Sequence, residues 1–365
     1  MFFLKNVCNI GQMIERLTLT DFRNHALGRI ETGSRRNVII TGPNGAGKTA
    51  ILEAVSILSG DRGMRGAPMS DVVRFGAGGF SAHALLSDDT EVAVTYTAGD
   101  ANRRARIDGD AARLPDLSAR LRVVWITPRE DRLFVDSAAE RRAFFDRLAG
   151  AFDGRHAGRV ARFSKLMSER AAALKAGGDG RWLDALDTQI AGIAVAVAAA
   201  RIQYAGEVNY FLDSAAVSVG GLVESMVMSD GPAAEEKYLS YLRENRMLSG
   251  DKMIVDGPHK SDFGVFNNVL QLPAHLTSTG QQKSVLLDLI LAHARCMHAK
   301  SAMRPIILLD EAAAHLDASA RARLFLALGA ADAQVWATGL DRDVFSDVPD
   351  AAFVACAGGA INNIL

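Results

Sequence analysis

The chain has 365 residues, of which 49% are hydrophobic and 23% charged, and its formal net charge at pH 7 is −1. This composition predicts a globular protein of one or two domains and excludes an intrinsically disordered chain. The near-zero charge excludes a globally basic nucleic-acid-binding protein, so any DNA-binding surface must be a local patch. Cys8, Cys296 and Cys356 are far apart, which predicts buried free thiols in a reducing compartment.

Membrane insertion and export are not expected from the sequence. The longest apolar stretch, residues 190–200, is too short and too rich in alanine to span a bilayer. Residues 1–12 lack the small-residue cleavage site of a signal peptide, and a better-patterned segment begins at Met13. We therefore expect a cytoplasmic protein that does not contact the membrane. We interpret residues 1–12 as a disordered or artefactual N-terminal extension.

The most informative stretch lies near the N-terminus. Residues 14–20 alternate apolar and polar side chains, which predicts a strand, and residues 37–41 predict a second, buried strand. The sequence GPNGAGKT follows and fits the P-loop pattern G-x-x-x-x-G-K-[ST] at every fixed position, and a helical pattern comes after it. A chance match is the alternative, but the strand and the helix are the context that the motif requires.

A P-loop binds phosphates because its glycines let successive N–H groups point inward and because a helix N-terminus faces the anion. We expect Lys48 to reach the β- and γ-phosphates of ATP, as a catalytic residue, and Thr49 to ligate Mg²⁺. The predicted nucleotide-binding residues of the loop are Gly42, Pro43, Asn44, Gly45, Ala46, Gly47, Lys48 and Thr49.

The middle of the chain changes from strands to helices. Short strands are predicted at residues 81–86, 91–97, 103–107 and 121–126. Helices are predicted at residues 138–175, with breaks at glycines, and at residues 181–212 and 232–245, with no strand between them. The predicted fold class is α/β, with an ATPase lobe formed by residues 13–136 and 253–365 and a helical lobe, residues 137–252, inserted into it.

A second motif that can carry chemistry follows in the C-terminal part. The apolar run PIILL predicts a buried strand that ends in Asp310 and Glu311. Asp310 is expected to bind Mg²⁺, and Glu311 is expected to orient or deprotonate the attacking water. An apolar strand that ends in two acids is often only structural, but the P-loop in the same chain favours the catalytic interpretation.

A third motif, TSTGQQK at residues 277–283, precedes a helix predicted at residues 284–298. Such a turn at a helix N-terminus is an anion site, although a simple serine cap is the usual alternative. The order of the three motifs resembles that of ABC-type ATPases. The resemblance implies that Ser278, Gly280 and Gln281 form the signature that contacts nucleotide, and that residues 314–317 form the D-loop.

Several segments resemble the RecF family of bacterial recombination mediators, which are similar to the ATPase heads of SMC proteins. They are IERLTLTDFRN, GPNGAGKTAILEAVSIL, TPREDRLF, ERRAFFDRL, GPHKSD and STGQQKSVLLDLILAHAR. The resemblance covers the chain from Met13 onward. It implies an ABC-type P-loop ATPase head, an ATP-dependent homodimer, binding to gapped DNA or to single-strand/duplex junctions, and RecR and RecO as partners. The sequence departs from the ABC pattern at Thr338, which stands where transporters have a switch histidine, and at its unclear glutamine loop.

Weaker signals concern single basic residues. The resemblance implies that Arg23 reaches the nucleotide phosphates and that Arg65 lies near nucleotide or DNA, whereas a solvated arginine is the alternative for both. Arg155, Arg159 and Arg162 form one stripe at helical spacing, which is either a DNA contact or an ordinary solvated face. His259, in the sequence GPHKSD, is either functional or only a turn residue.

The sequence therefore predicts a weak, Mg²⁺-dependent ATPase that helps load recombinase at single-strand gaps in damaged DNA, within replication, recombinational repair and the SOS response. The alternative is the ATPase subunit of an ABC-type membrane transporter, which would carry the same three motifs. A further alternative is an ATP-gated DNA clamp in which hydrolysis hardly matters.

Overall fold

The computed structural model describes residues 13–213, 216–220, 233–247, 255–301, 303–311, 318–330 and 332–364. Cys8 and the residues 314–317 that resemble a D-loop lie outside these ranges. The chain forms two compact units. The first unit contains the residues up to Asp131 and those from Leu286 onward, and the second unit is Arg132–Val285. This division differs from the predicted lobes mainly in placing residues 253–285 with the helices; the lobe boundaries stay a prediction.

A mainly parallel sheet carries the predicted nucleotide site in the first unit. Its order is β15-β14-β3-β13-β12-β8, and only β15, at one edge, is antiparallel to its neighbour. The central strands are buried and rich in β-branched residues, as expected for a parallel sheet covered on both faces. The strands are β3 (Asn37–Thr41), β8 (Val123–Ile126), β12 (Ile306–Leu309), β13 (Gln334–Gly339), β14 (Ala351–Ala357) and β15 (Ala360–Ile364).

The strand order places the predicted motifs at one edge of this sheet. The P-loop follows β3 and the Asp310–Glu311 pair follows β12, with β13 between the two strands. Because parallel strands end at the same edge, both motifs meet there, where open α/β sheets bind ligands. The α1 helix (Lys48–Leu58) leaves the P-loop, and every residue in it except Thr49 is buried.

An antiparallel sheet packs on the other side of α1. Its order is β2-β1-β4-β5-β6-β7. Leu17, Leu19, Ala82 and Val94 of this sheet share one hydrophobic core with α1 and the parallel sheet. The strands are β1 (Ile14–Phe22), β2 (His25–Glu31), β4 (Gly79–Leu86), β5 (Glu91–Thr97), β6 (Arg104–Ile107) and β7 (Asp110–Ala112). Among the described residues the first unit also contains α2 (Met69–Val72), α3 (Leu114–Ser118), α9 (Ala318–Ala330) and, from Leu286 onward, α8 (Thr279–Ser301).

The second unit contains the predicted helices and one feature that the sequence did not predict. The helices are α4 (Ala138–Gly150), α5 (His156–Lys175), α6 (Gly180–Phe211) and α7 (Ala234–Glu244). The expectation of no strand between them is wrong, because Val217–Gly220 forms β9 and pairs with β10 (Gly264–Asn267), which also pairs with β11 (Leu272–Pro273). The partner of β9 is distant in sequence, so local periodicity does not reveal this strand.

Helix α6 is long and apolar enough to cross a membrane by length and composition alone. Its Leu186, Ile190 and Ala194 instead form part of the hydrophobic core of the second unit. Its buried Asp187 pairs with Arg170 of α5 at 2.7 Å. A buried ion pair and a shared core are features of the central helix of a globular unit, and we interpret α6 in that way.

The cysteines within the described ranges agree with the prediction. Cys296 and Cys356 are free and buried. Burial raises the pKa of the Cys356 thiol to about 11. The thiol is therefore protonated at neutral pH, where only the thiolate is a strong nucleophile.

Candidate nucleotide-binding site

The P-loop connects β3 to α1, and its glycines have backbone conformations that other residues rarely adopt. Gly47 has φ 105°, and a Cβ at this position would lie 2.4 Å from Nε2 of His25. Gly42 has φ 149°, and a Cβ there would lie 2.1 Å from the carbonyl oxygen of Cys356. Both positions therefore require glycine for two reasons, the backbone conformation and the close approach of neighbouring atoms.

Lys48 turns back over the loop that carries it. Its Nζ donates hydrogen bonds to the carbonyl oxygens of Gly42 at 2.7 Å and Pro43 at 3.0 Å. The residue is buried, at 6% exposure, so these carbonyls provide the compensation that a buried ammonium needs. The ammonium lies at the centre of the loop, where it can exchange carbonyl partners for phosphate oxygens.

Asp310, at the end of β12, contacts the P-loop and the neighbouring strand β13. Its carboxylate oxygens lie 3.0 and 3.1 Å from the Thr49 hydroxyl, and Oδ1 accepts a hydrogen bond from the Thr338 hydroxyl at 2.7 Å. Asp310 is buried, whereas Glu311 is exposed. The structure thus brings together the two residues predicted to bind a metal. Their hard oxygen donors suit Mg²⁺, which binds through one or two carboxylates and keeps its remaining positions for water and phosphate.

Thr338, at the end of β13, links the two acids. Its hydroxyl oxygen accepts a hydrogen bond from the backbone N–H of Glu311 at 2.9 Å while the hydroxyl donates to Asp310. Glu311 has φ 53°, a left-handed conformation that is uncommon for glutamate. Backbone conformations of this kind are concentrated at functional sites, and here Thr338 holds the Glu311 backbone in place.

The turn between β1 and β2 forms a second wall of the P-loop. His25 is fully buried, with Nδ1 at 2.7 Å from the Gly359 carbonyl and Nε2 at 3.2 Å from the Gly47 carbonyl. Asn24 Nδ2 lies 3.5 Å from the Gly45 carbonyl. Consecutive residues of one turn therefore contact the loop at several points and restrict its shape.

Arg23, in the same turn, makes a two-pronged ion pair with Glu53 of α1. Nε lies 2.7 Å from Oε2 of Glu53, and Nη2 lies 2.7 Å from Oε1. Nη1 donates to the Asp71 carbonyl at 2.7 Å. Arg65 approaches the same Glu53 carboxylate, with Nη1 3.8 Å from Oε2. Arg23 and Arg65 both line the cavity at the P-loop. That Arg23 reaches the nucleotide phosphates, and that Arg65 contacts nucleotide or DNA, stay predictions.

These groups surround one cavity of about 470 Å³, within the range of small-molecule and cofactor sites. Its lining combines the P-loop amides, a lysine and two arginines with two acids, Asp71 and Glu311, so it presents many hydrogen-bond donors to a polyanion. The residues that line it are Arg23, Asn24, Asn44, Gly45, Ala46, Gly47, Lys48, Thr49, Ala50, Arg65, Asp71, Val73 and Glu311.

The signature-like turn belongs to the second unit and begins a helix earlier than predicted. Helix α8 is Thr279–Ser301, so residues predicted to lie in the turn form its first helical turn. The Ser278 N–H donates to Oε1 of Gln281 at 2.9 Å, and the Gln281 N–H donates to Oγ of Ser278 at 3.4 Å. This reciprocal pair is a capping box. Ser278 and Gln281 are nevertheless exposed and Gly280 half-buried, so the cap does not remove them from the surface.

The GPHKSD turn at residues 257–262 is tied to helices of its own unit. Asp262 accepts two hydrogen bonds from Arg141 of α4, at 2.7 and 2.8 Å, and Arg142 Nη1 donates to the Ser261 carbonyl at 2.8 Å. Burial opposes ionisation of Asp262, but the hydrogen bond and charge of Arg141 outweigh it and lower the pKa of the carboxyl. Burial, with Lys260 and Arg142 nearby, lowers the pKa of His259. The turn is therefore a packed structural element with a neutral histidine at pH 7.

The stripe predicted on α5 has acidic and polar neighbours. Arg159 forms a short ion pair with Asp153, and Arg155 Nε lies 3.9 Å from the same carboxyl group. Arg162 Nη2 donates to Oε1 of Gln189 at 2.8 Å. Arg155 and Arg162 are exposed, whereas Arg159 is half-buried. These contacts reduce the positive potential of the stripe, and its interaction with DNA stays a prediction.

Sequence reasoning missed several residues of the site: Asn24, His25, Glu53, Asp71 and Val73. The sequence did indicate Glu53, because it is the only acid in a helix whose other residues after Thr49 are apolar or small. A carboxylate in a fully buried helix requires a charged partner. His25 left no comparable signal, since its carbonyl partners come from two distant parts of the chain.

A P-loop after one parallel strand, with an Asp-Glu pair after a strand of the same sheet, defines a P-loop nucleotide-binding fold of the ABC type. The family model described as the RecF/RecN/SMC N-terminal domain matches residues 13–358. The chain therefore belongs to this family, and the predicted resemblance is confirmed.

Individual relatives agree with this assignment. A protein of Mesorhizobium japonicum, DNA replication and repair protein RecF, is 41% identical over 92% of this chain and 93% of its own length. The protein of the same name from Brucella suis biovar 1 is 39% identical over 96% of each chain.

Solved structures confirm the fold. A structure of the recombination mediator protein RecF with ATP, in the RecFOR pathway, matches with a TM-score of 0.78 at 20% identity, over 97% of this chain and 99% of that one. The Smc head domain of Pyrococcus furiosus, bound to the C-terminal domain of ScpA, matches with a TM-score of 0.55 at 15% identity, over 97% and 96%. The predicted α/β fold, an ABC-type ATPase head, is therefore confirmed.

Proposed function

We propose that this protein binds and slowly hydrolyses ATP with Mg²⁺, and that its ATP-bound form acts on DNA in recombinational repair in the cytoplasm. One observation carries the ATPase part of the proposal. The Asp310 carboxylate lies against the Thr49 hydroxyl, at 3.0 and 3.1 Å, and Glu311 lines the same cavity as the P-loop. A phosphate site, a metal site and a carboxylate beside both are the parts that hydrolysis of a nucleoside triphosphate requires.

Separate groups of residues have separate roles in this proposal. The P-loop N–H groups and Lys48 would bind the phosphates, and Thr49 and Asp310 would hold Mg²⁺, which would supply charge neutralisation when bound. Glu311 is exposed to the cavity with its backbone held by Thr338, and from there it orients or deprotonates the attacking water. Arg23 adds positive charge beside the loop.

The DNA-repair part of the proposal comes from the family. The relatives are DNA replication and repair proteins, and a solved relative is a mediator in the RecFOR pathway. We therefore propose gapped DNA or a single-strand/duplex junction as the nucleic-acid partner, RecR and RecO as protein partners, and loading of recombinase as the outcome. The transporter alternative is not favoured, since the matches are to repair proteins and SMC heads.

ATP hydrolysis by the purified chain, measured with and without gapped duplex DNA, tests the proposal. We expect slow Mg²⁺-dependent phosphate release that DNA stimulates, and DNA binding that requires ATP. Hydrolysis unchanged by DNA but stimulated by detergent-solubilised membrane proteins would support the transporter alternative instead. DNA binding at the same affinity with ATP and without nucleotide would contradict ATP control.

The exposed Ser278 suggests how two chains would share the nucleotide. In ABC-type heads the signature of one subunit completes the site of the other, so we propose an ATP-dependent two-fold dimer with two composite sites. Nucleotide and partner then raise each other's affinity equally. We expect Ser278→Arg to leave ATP binding by the monomer intact while blocking dimerisation and hydrolysis, as measured by sedimentation and phosphate release.

A mixing experiment makes this prediction sharper. A dimer of Ser278→Arg with Lys48→Met chains has one site with both native halves, so part of the ATPase activity should return. Ser137 caps α4 by accepting a hydrogen bond from the Glu140 N–H at 3.3 Å, so Ser137→Arg controls for the loss of a helix cap. No recovery in the mixture, or one mass with and without ATP for Glu311→Gln, would contradict the shared site.

The stripe on α5 gives a separate test of DNA contact. Reversing Arg155, Arg159 and Arg162 to glutamate should weaken binding to every DNA sequence alike. Each lost phosphate contact should reduce the slope of log affinity against log salt by about one. Reversal of Arg29, Arg104 and Arg132, which are exposed and also paired with acids, is the control of equal charge. An unchanged slope relative to this control would leave the stripe as an ordinary solvated face.

A further inference from the structure

We propose that Glu53 is a positioning residue of the nucleotide site, which fixes the Arg23 guanidinium so that it binds a phosphate in the P-loop cavity. The proposal rests on the nucleotide binding proposed above and adds a residue that has no direct contact with the ligand. It concerns the turn between β1 and β2, α1 and the loop that follows α1, which all belong to the first unit.

The burial of Glu53 is the first step. Glu53 is fully buried in α1, a helix whose other residues after Thr49 are apolar or small. Burying a carboxylate is strongly unfavourable unless charge and hydrogen bonds compensate it. Arg23 provides both, since each carboxylate oxygen accepts one N–H at 2.7 Å. A two-pronged pair of this kind fixes the plane as well as the position of the guanidinium.

The unused donors of Arg23 are the second step. A guanidinium has five N–H donors and accepts nothing. Nε and one N–H of Nη2 are bound to Glu53, and one N–H of Nη1 is bound to the Asp71 carbonyl. One N–H on each Nη atom remains, on a side chain that is 19% exposed and lines the P-loop cavity. A phosphate oxygen in the cavity would accept hydrogen bonds from these two N–H groups.

The backbone of Arg23 is the third step. Arg23 has φ 55°, although an arginine gains nothing from the left-handed region. Its N–H donates to the Val72 carbonyl at 2.7 Å, so backbone and side chain are both restrained. Such a conformation is unfavourable for a residue other than glycine and persists only where the surroundings enforce it. A solvated surface arginine would need none of these restraints, which favours a role in orientation.

The local charge agrees with a polyanionic ligand. Glu53 neutralises one of the two arginines near it, since Arg65 lies 3.8 Å from Oε2 and is more exposed than Arg23. The cavity lining has three cationic side chains, Arg23, Lys48 and Arg65, and two anionic ones, Asp71 and Glu311, and the loop N–H groups add further donors. Glu53 is not part of this lining, so it orients Arg23 from behind while the unused Arg23 N–H groups stay available to a phosphate.

A double-mutant cycle in the full chain tests the proposal, with ATP and ADP affinity measured by titration calorimetry. We expect Glu53→Gln and Arg23→Gln each to weaken ATP binding by about tenfold to a hundredfold, the range for one or two hydrogen bonds to a charged group. The double variant should lose no more ATP affinity than the single variant that binds ATP more weakly, because both changes remove the same interaction. Glu31→Gln, which breaks an exposed ion pair with Arg29, should leave affinity unchanged.

Thermal unfolding without nucleotide separates orientation from a purely structural role. A Glu53→Gln variant that has a lowered unfolding temperature but wild-type ATP affinity would overturn the proposal. A double variant in which the two losses of ATP binding free energy are additive would also overturn it. If Glu53→Gln does not fold, Arg23→Lys decides, because a lysine keeps the charge but cannot make the two-pronged pair. Wild-type affinity in Arg23→Lys would likewise overturn it. Failure of the wild-type chain to bind ATP would instead refute the proposed function.

Discussion

Replacing Lys48 with methionine is expected to lower ATP affinity by about a hundredfold or more, corresponding to about 3 kcal/mol from lost charge-assisted hydrogen bonds. In the structure Nζ is bound by the Gly42 and Pro43 carbonyls at 2.7 and 3.0 Å, at the centre of the loop. Methionine has a similar length and an apolar stem, so it fills the buried space without supplying a donor. Titration calorimetry with ATP and thermal unfolding without nucleotide measure the two effects separately.

Lys165→Met is the matched control for this change. Lys165 is an exposed lysine of α5 whose Nζ lies 3.8 Å from Glu169, so losing its charge should leave ATP affinity unchanged. An unfolding temperature near that of the wild type, together with lost affinity, would assign the effect to the phosphate site. Wild-type ATP affinity in Lys48→Met would remove the basis of the proposed function.

Glu311→Gln should keep ATP and Mg²⁺ binding while hydrolysis falls by about a hundredfold to ten-thousandfold, the range for loss of a general base. Glutamine has the same shape, and the backbone at φ 53° is held through the N–H bond to Thr338, which the change does not touch. ATP affinity should stay within about twofold of the wild type, because an interaction used only in the transition state was removed. Phosphate release under saturating ATP measures the loss.

Asp310→Asn provides the contrast. Asp310 contacts the Thr49 hydroxyl directly, so its loss should remove the Mg²⁺-dependent part of ATP affinity as well as hydrolysis. Glu91→Gln, at an exposed carboxylate near His83, should change neither quantity. Normal hydrolysis by Glu311→Gln combined with metal loss in Asp310→Asn would show that another group activates the water.

The sequence predicted the parts of the site that are local. GPNGAGKT and the strand-end pair Asp310–Glu311 are contiguous patterns, and the structure places both at one edge of the parallel sheet. The helices of the second unit were predictable because apolar periodicity persists over many residues. Strand β9 was not, because four residues give little periodicity and the partner strand follows much later.

The wall formed by the β1–β2 turn was beyond sequence reasoning for another reason. His25 contacts the Gly359 carbonyl across 334 positions of sequence, and Arg23 contacts Glu53 across 30. Pair contacts of this kind depend on the completed topology, which no local pattern specifies. The sequence marks Thr338 only as a departure from the ABC transporter pattern. Its two hydrogen bonds, to Asp310 and Glu311, depend on the pairing of β12 with β13, which the local sequence does not specify.

The position of β3 in its sheet has a consequence for synthesis on the ribosome. Both strands that pair with β3, β13 and β14, are among the last parts of the chain to be translated. The P-loop of a nascent chain therefore leaves the ribosome before β13 and β14 have been synthesised. The second unit, Arg132–Val285, is one continuous segment and is synthesised completely before the first unit is. Non-local pairing of this kind slows folding and leaves apolar edges exposed in the interval. A growing chain should thus gain nucleotide affinity only near the end of translation, so that truncated products do not compete for ATP.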